Sequence, residues 1–340
     1  METRAKILEI PRLLRETLDQ GAREYESLVR RVRWGEAPIV ICGCGSSLPV
    51  AMAGAYLFEW LAGLPALARS PQVFEAYTLA TLRPRTILLV ISASGEEPEA
   101  LEIARLARSR GATPLALTRH AESPLAQACE GVFLTRDEVA EDYAAAAVCQ
   151  IAALTSITLQ TARLRQRSGA RLELLEDELK RLPEHFEWSF THLWDALRSL
   201  AQELRAQERF WLVGGGLYHP VVVRAAWRLA AFGEIPAHGM ELAQFASGPL
   251  PQLTRGEVAM LVSGSRLRIK SLAHQAAVQL KVKGARLISL TDSNDRELVD
   301  RSGLAVLTPT LSEAGGSMLA LSLLELLMTP SAKHVDSARQ

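Results

Sequence analysis

The stretch SASGEE (residues 92–97) sets two serine hydroxyls, a glycine and two carboxylates between the apolar run TILLVIS (86–92) and a helical segment starting at Pro98. Ser92 and Ser94 offer neutral donors, Gly95 lets the backbone turn, and the helix start adds free N–H groups. That is the make-up of an anion-binding turn. The same hydroxyls also suit a helix cap, and both uses fit the spacing. Glu96 and Glu97 stand where a phosphate ligand favours no negative charge. A second group of acid–base side chains lies in GEIPAHGMELAQF, where Glu234, His238 and Glu241 fall within eight positions. A helix over residues 239–246 would set His238 and Glu241 at i and i+3, near enough to pair and tune each other. The competing reading is a loop histidine beside a capping or surface carboxylate. His219, in LYHPV, opens a helix after a strand and is a further candidate ligand.

The elements that must position these groups occur twice. The first series runs from strand Ile39–Cys42 and the turn GCGSS through strands 86–92, 114–118 and 131–135, with helices between them, to a long helix from about Val139 to Leu164. The second runs through strands 209–214, 257–263, 286–291 and 304–309 to a last helix ending near Met328. CGCGSS aligns with VGGGLYHP, VISASGEE with LVSGSRLR, and LALTRHAESP with ISLTDSND, so one βα domain is repeated. Strands without polar alternation are buried on both faces, which implies parallel sheets covered by helices. Ligands of such folds bind at the carboxyl ends of the strands. The fold class expected is α/β, two flavodoxin-like three-layer domains with N-terminal and bridging helices. The expected limits are a helical segment over 1–34, domains over 35–166 and 207–340, and a charged helical bridge over 167–206, broken near Pro183.

Composition narrows the partners. The chain has 340 residues, with Lys+Arg and Asp+Glu balanced at 38 each and no basic run. That gives no electrostatic case for nucleic acid or an acidic membrane surface. The uncharged stretch Tyr143–Ala162 is Ala-rich and interrupted by Gln, Ser and Thr, so it reads as a core helix rather than a span. A soluble cytoplasmic protein acting on a small molecule is expected. The four cysteines, Cys42, Cys44, Cys129 and Cys149, have no zinc-ligand spacing and read as reduced thiols. Neither a metal nor a cofactor is called for: GCGSS and GGGLYH lack the third glycine of a dinucleotide fingerprint, and no P-loop is present.

Together LEIPRLLRETL, CGCGSS, VISASGEEPEAL, EDYAAAAVCQIAALT and WLVGGGLYHPVVVRAAWRLAAFGEIPAHGMELAQFASGPL resemble the double-domain members of the sugar isomerase (SIS) domain family, across nearly the whole chain. The resemblance implies a sugar-phosphate ligand and a homodimer. It assigns the phosphate to Ser92, Ser94 and Gly95 with Glu96, and an earlier loop hydroxyl to Ser46 or Ser47. Glu141 matches another family position, but the Ser-Thr-Lys expected after it reads Ala146, Ala147 and Val148. Glu97 replaces a usual threonine, so either it points away or the ligand is not the usual phosphate. In the second domain the family's catalytic Glu falls at Ala231, its ring-opening His at Ser247, and its nearby Lys at Arg228. A lysine of the C-terminal tail has Lys333 as counterpart.

A methyl or hydroxyl cannot serve as a carboxylate base, so the ordinary isomerase mechanism does not carry over. Two functions of different class remain. One is a phosphosugar isomerase or aminosugar-phosphate deaminase with a displaced base, Glu241 or Glu234 assisted by His238. The other is a non-catalytic sugar-phosphate-binding or regulatory protein. A nucleotide-binding enzyme is a third, weaker reading, and a glutaminase domain is expected to be absent.

Overall fold

The computed structural model describes residues 6–35, 37–136 and 143–328. The chain forms two compact units, one comprising Glu9–Pro183 and the other the residues from Glu184 on together with those before Glu9. In the first, strands β1 (Ile39–Gly43), β2 (Ala66–Arg69), β3 (Ile87–Ile91), β4 (Thr113–Thr118) and β5 (Gly131–Leu134) order as β2-β1-β3-β4-β5. In the second, β6 (Phe210–Gly214), β7 (Ala237–Glu241), β8 (Val258–Val262), β9 (Arg286–Asp292) and β10 (Leu304–Thr308) order as β10-β9-β8-β6-β7. Substituting β6 for β1, β7 for β2 and so on makes the two orders identical. Every pairing in both sheets is parallel. Each is thus a flavodoxin-like sheet, with its switch point between the first and third strands of its series.

Helices cover both faces of each sheet. Val40, Cys42, Leu88, Val90 and Ala116 face one way, onto Ala100, Ile103, Ala104 and Ala107 of helix Pro98–Ser109. Three alanines on that helix let it approach the strands closely. Ile41, on the opposite face, points toward Gly54 of helix Leu48–Leu57 and Leu154 of helix Tyr143–Leu164. The latter helix is long and apolar enough to cross a membrane, but 89% of its apolar window is buried inside the unit. In the second unit Val213, Ala259 and Leu261 pack on Ala273, Ala276, Ala277 and Leu280 of helix Lys270–Lys283.

Two local expectations are corrected, and one strand not expected is present. Ala66–Arg69 and Ala237–Glu241 are strands, although ALAR and AHGME carry no β-branched residue. Tertiary pairing overrides weak propensity in both. For β7 a cause is visible at Gly239: a Cβ there would lie 2.5 Å from the Val222 carbonyl oxygen, so glycine lets the strand lie against the backbone of helix Tyr218–Phe232. The helix Ala170–Arg205 also runs unbroken through Pro183. Leu182 and Phe186, both 0% exposed, bury on either side of the proline and hold the turn together despite the lost N–H.

Candidate functional site

The carboxyl ends of β1 and β3 are neighbours, and the loops that follow them carry the predicted anion-binding residues. After β1, Gly45–Ser47 forms a 3-10 turn leading into helix Leu48–Leu57, with Ser46 and Ser47 half-buried. After β3, Ser92 is buried and its Oγ accepts the Gly95 amide at 2.7 Å. Ser94 Oγ accepts the Glu96 amide at 3.2 Å. Gly95 has φ +71°, and a Cβ on it would stand 2.2 Å from Ser123 Oγ, so no other residue fits this corner. Its carbonyl accepts the Leu125 amide at 3.0 Å, which fixes the turn against the next loop.

The Glu97 carboxylate points inward, onto the turn. Its carboxylate accepts the Ser92 hydroxyl, and also the Ser94 hydroxyl at 3.2 Å. Glu96 is exposed. The Cys44 thiol, at the end of β1, is pushed up to about 11, first by burial and then by the charges of Glu97 and Glu99. The Glu97 charge is therefore felt across the switch point.

The second unit also has a buried carboxylate at its strand-end loops, supplied by another element. Glu313, 4% exposed at the start of helix Glu313–Leu326, accepts the Leu217 amide at 2.8 Å and the Arg268 amide at 3.2 Å. It thus bridges the loops after β6 and β8. Gly216 makes room for it: a Cβ there would lie 2.2 Å from Glu313 Oε1. Burial raises the Glu313 pKa, with the two amides and Arg268 opposing. Asp292, at the end of β9, accepts the Ser265 amide at 2.7 Å and the Asn294 amide at 3.0 Å. Neither acid was singled out from sequence; the signal available was the Ser312–Glu313 helix start beside the twin glycines 315 and 316.

The predicted acid–base group is not brought together. His238 and Glu241 lie on β7 three residues apart, hence on opposite faces of the sheet and about 10 Å apart along the strand. His238 is exposed and packs on Trp211 with ring centroids 5.3 Å apart. Glu241 caps helix Leu242–Ser247, accepting the Ala243 amide at 2.6 Å and the Gln244 amide at 3.0 Å. Glu234 is exposed in a left-handed turn at φ +55° before β7. Arg228 donates to Glu325 at 2.9 Å, and Ser247 is exposed at the end of its short helix. Glu141 and Lys333 lie outside the described residues. His219 keeps a buried Nδ1 without a partner; burial lowers its pKa while the charge of Glu241 opposes.

A cleft of about 800 Å³ in the first unit lies between helices Ile10–Arg31, Tyr143–Leu164 and the start of Ala170–Arg205. None of the strand-end loops lines it, and its Arg30 and Arg163 pair with Glu26 and Glu176. Among the described residues no group of three His, Cys, Asp or Glu side chains is arranged to hold a metal ion.

The SIS domain profile matches residues 35–166 and again 203–330. The chain belongs to the SIS domain family. It is 26% identical over 325 residues to the isomerizing glutamine–fructose-6-phosphate aminotransferase of Thermococcus kodakarensis, covering 95% of this chain and 53% of that protein. The chain therefore spans about half the length of that relative. Its fold superposes with a TM-score of 0.86 on the C-terminal domain of glucosamine-fructose-6-phosphate aminotransferase from Francisella tularensis, at 19% identity, covering 96% of this chain and 94% of that one. Glucosamine-6-phosphate deaminase from Thermotoga maritima gives a TM-score of 0.72 at 15% identity, covering 96% and 92%.

Proposed function

We propose that this SIS protein binds a carbohydrate derivative, a sugar phosphate or a close relative, at the carboxyl edge of its first sheet, and does so without aldose–ketose turnover. The observation that carries the second half is the engagement of Glu241. Its carboxylate holds two backbone amides of the helix it caps, so it is not poised to take a proton from a sugar carbon. Arg228 is likewise engaged with Glu325, and Ala231 and Ser247 offer no base. Loss of a general base lowers such a rate by about 10²–10⁴-fold. The homodimer implied by the resemblance, the cytoplasmic location read from composition, and the domain limits 35–166 and 207–340 belong to the same reading.

The test is incubation of the full chain with fructose 6-phosphate and, separately, glucosamine 6-phosphate, followed by proton NMR of the anomeric signals. No conversion of either sugar is expected. Conversion of either sugar would overturn the non-catalytic reading in favour of an isomerase or deaminase. One observation favours that second reading: His219 has an unpartnered buried ring nitrogen within the field of Glu241, a neutral imidazole available to move a proton.

A further inference from the structure

The turn after β3 and its counterpart after β8 form a comparison within one molecule. Ser92 and Ser94 correspond to Ser263 and Ser265, and Glu97 to Arg268. In the first turn both hydroxyls donate to the Glu97 carboxylate. In the second, where an arginine takes the place of that acid, Ser263 is 5% exposed and its Oγ has no hydrogen-bond partner. In the first copy the Ser92 Oγ accepts the Gly95 amide at 2.7 Å and gives its own hydrogen to Glu97, whereas the Ser263 hydroxyl has neither partner.

A carboxylate held by two hydroxyls presents the same kind of acceptor oxygens as a ligand phosphate. We propose that Glu97 is an internal occupant of the Ser92–Ser94 turn, so that a phosphorylated ligand enters only by displacing it and the turn discriminates against phosphate. The proposal rests on the carbohydrate-binding reading above and narrows its ligand toward unphosphorylated or amino-bearing sugars. The charges around the turn act in the same direction. Glu96 and Glu99 flank Glu97, and the Cys44 thiol registers both Glu97 and Glu99. Arg69, at the end of β2, is felt at Cys42, deeper in β1. A phosphate seated on Ser92 and Ser94 beside an undisplaced Glu97 would meet like charge at hydrogen-bond range.

Glu97 sits at the N-cap of helix Pro98–Ser109 but makes no side-chain cap bond, so its replacement leaves the helix start intact. The experiment is isothermal titration of the full chain with inorganic phosphate, glucosamine 6-phosphate and glucosamine, comparing wild type with Glu97→Ala and with the charge-only variant Glu97→Gln. The expected result is at least tenfold tighter binding of both phosphate probes by Glu97→Ala, a smaller gain for Glu97→Gln, and glucosamine changed by less than twofold. Adding Ser94→Ala to Glu97→Ala should remove the gain. Equal affinity of wild type and both variants for glucosamine 6-phosphate would overturn the Glu97 assignment and leave the carbohydrate reading standing. A gain for inorganic phosphate with no binding of either sugar would leave the assignment standing and overturn the carbohydrate reading. Absence of binding by every probe to every variant would overturn both, and a gain that survives Ser94→Ala would place it elsewhere and overturn the assignment.

Discussion

Arg224 Nη1 donates to Glu325 Oε1 at 2.6 Å, and the two side chains are 3% and 1% exposed. The other oxygen of the same carboxylate accepts Arg228 at 2.9 Å. One acid on helix Glu313–Leu326 thus pairs with two arginines of helix Tyr218–Phe232, and this engages Arg228, the residue expected beside the ligand. Two cations on one buried anion cannot lose that anion cheaply.

Glu325→Ala should therefore destabilise the protein by about 3–5 kcal/mol, the usual penalty for stranding buried charge. Urea unfolding of the variant against wild type measures it. A loss below 1 kcal/mol would mean that the arginines find other partners or water.

Glu313 makes a pH prediction of definite sign. Burial holds its pKa above the ordinary carboxylate value of 4.5 in the folded protein. The folded state then binds the proton more tightly than the unfolded chain, and stability from this group is full below 4.5. It is lost as pH rises through the raised folded value, and is flat above it. Glu313→Gln cannot ionise and should lack this decline. The difference in unfolding free energy between variant and wild type should move in the variant's favour as pH rises through that window; a pH-independent difference would contradict the burial of this carboxyl.

Cys44 reports on Glu97 directly. A thiol at about 11 is ionised at roughly one part in a thousand at pH 8, and iodoacetamide reacts with the thiolate. Glu97→Gln removes one of the charges holding it up, so Cys44 should be alkylated faster at the same pH. Cys129, held near 12 by burial with no contribution from Glu97, serves as the internal control. Peptide mass mapping distinguishes the two. An unchanged Cys44 rate would mean that Glu97 does not face the end of β1.

The repeat, the parallel sheets and the Ser92–Ser94 turn were legible because each depends on local pattern. ILLVI and VAMLV are continuous apolar runs, and SxSG supplies its own hydroxyls and turn. What stayed hidden depends on partners distant in sequence. The strand AHGME owes its state to β6 and to the backbone of the helix crossing Gly239, neither visible in its own residues. Read by period alone, its His and Glu suggested a helical pair; the strand separates them. Glu97 offered two orientations on paper, and only the folded turn shows the carboxylate on the hydroxyls. Glu313 was overlooked because the amides it holds lie 96 and 45 residues away.

The most direct test of carbohydrate binding at the first sheet's edge is thermal unfolding of the full chain with hexoses, hexosamines and N-acetylhexosamines, each free and as its 6-phosphate. A ligand at one hundred times its dissociation constant adds about 2.7 kcal/mol, a readable rise in Tm. Stabilisation by at least one of these sugars is expected, abolished by Ser94→Trp, whose indole would crowd the turn. Stabilisation by none of them, or an equal rise in Ser94→Trp, would contradict carbohydrate binding there.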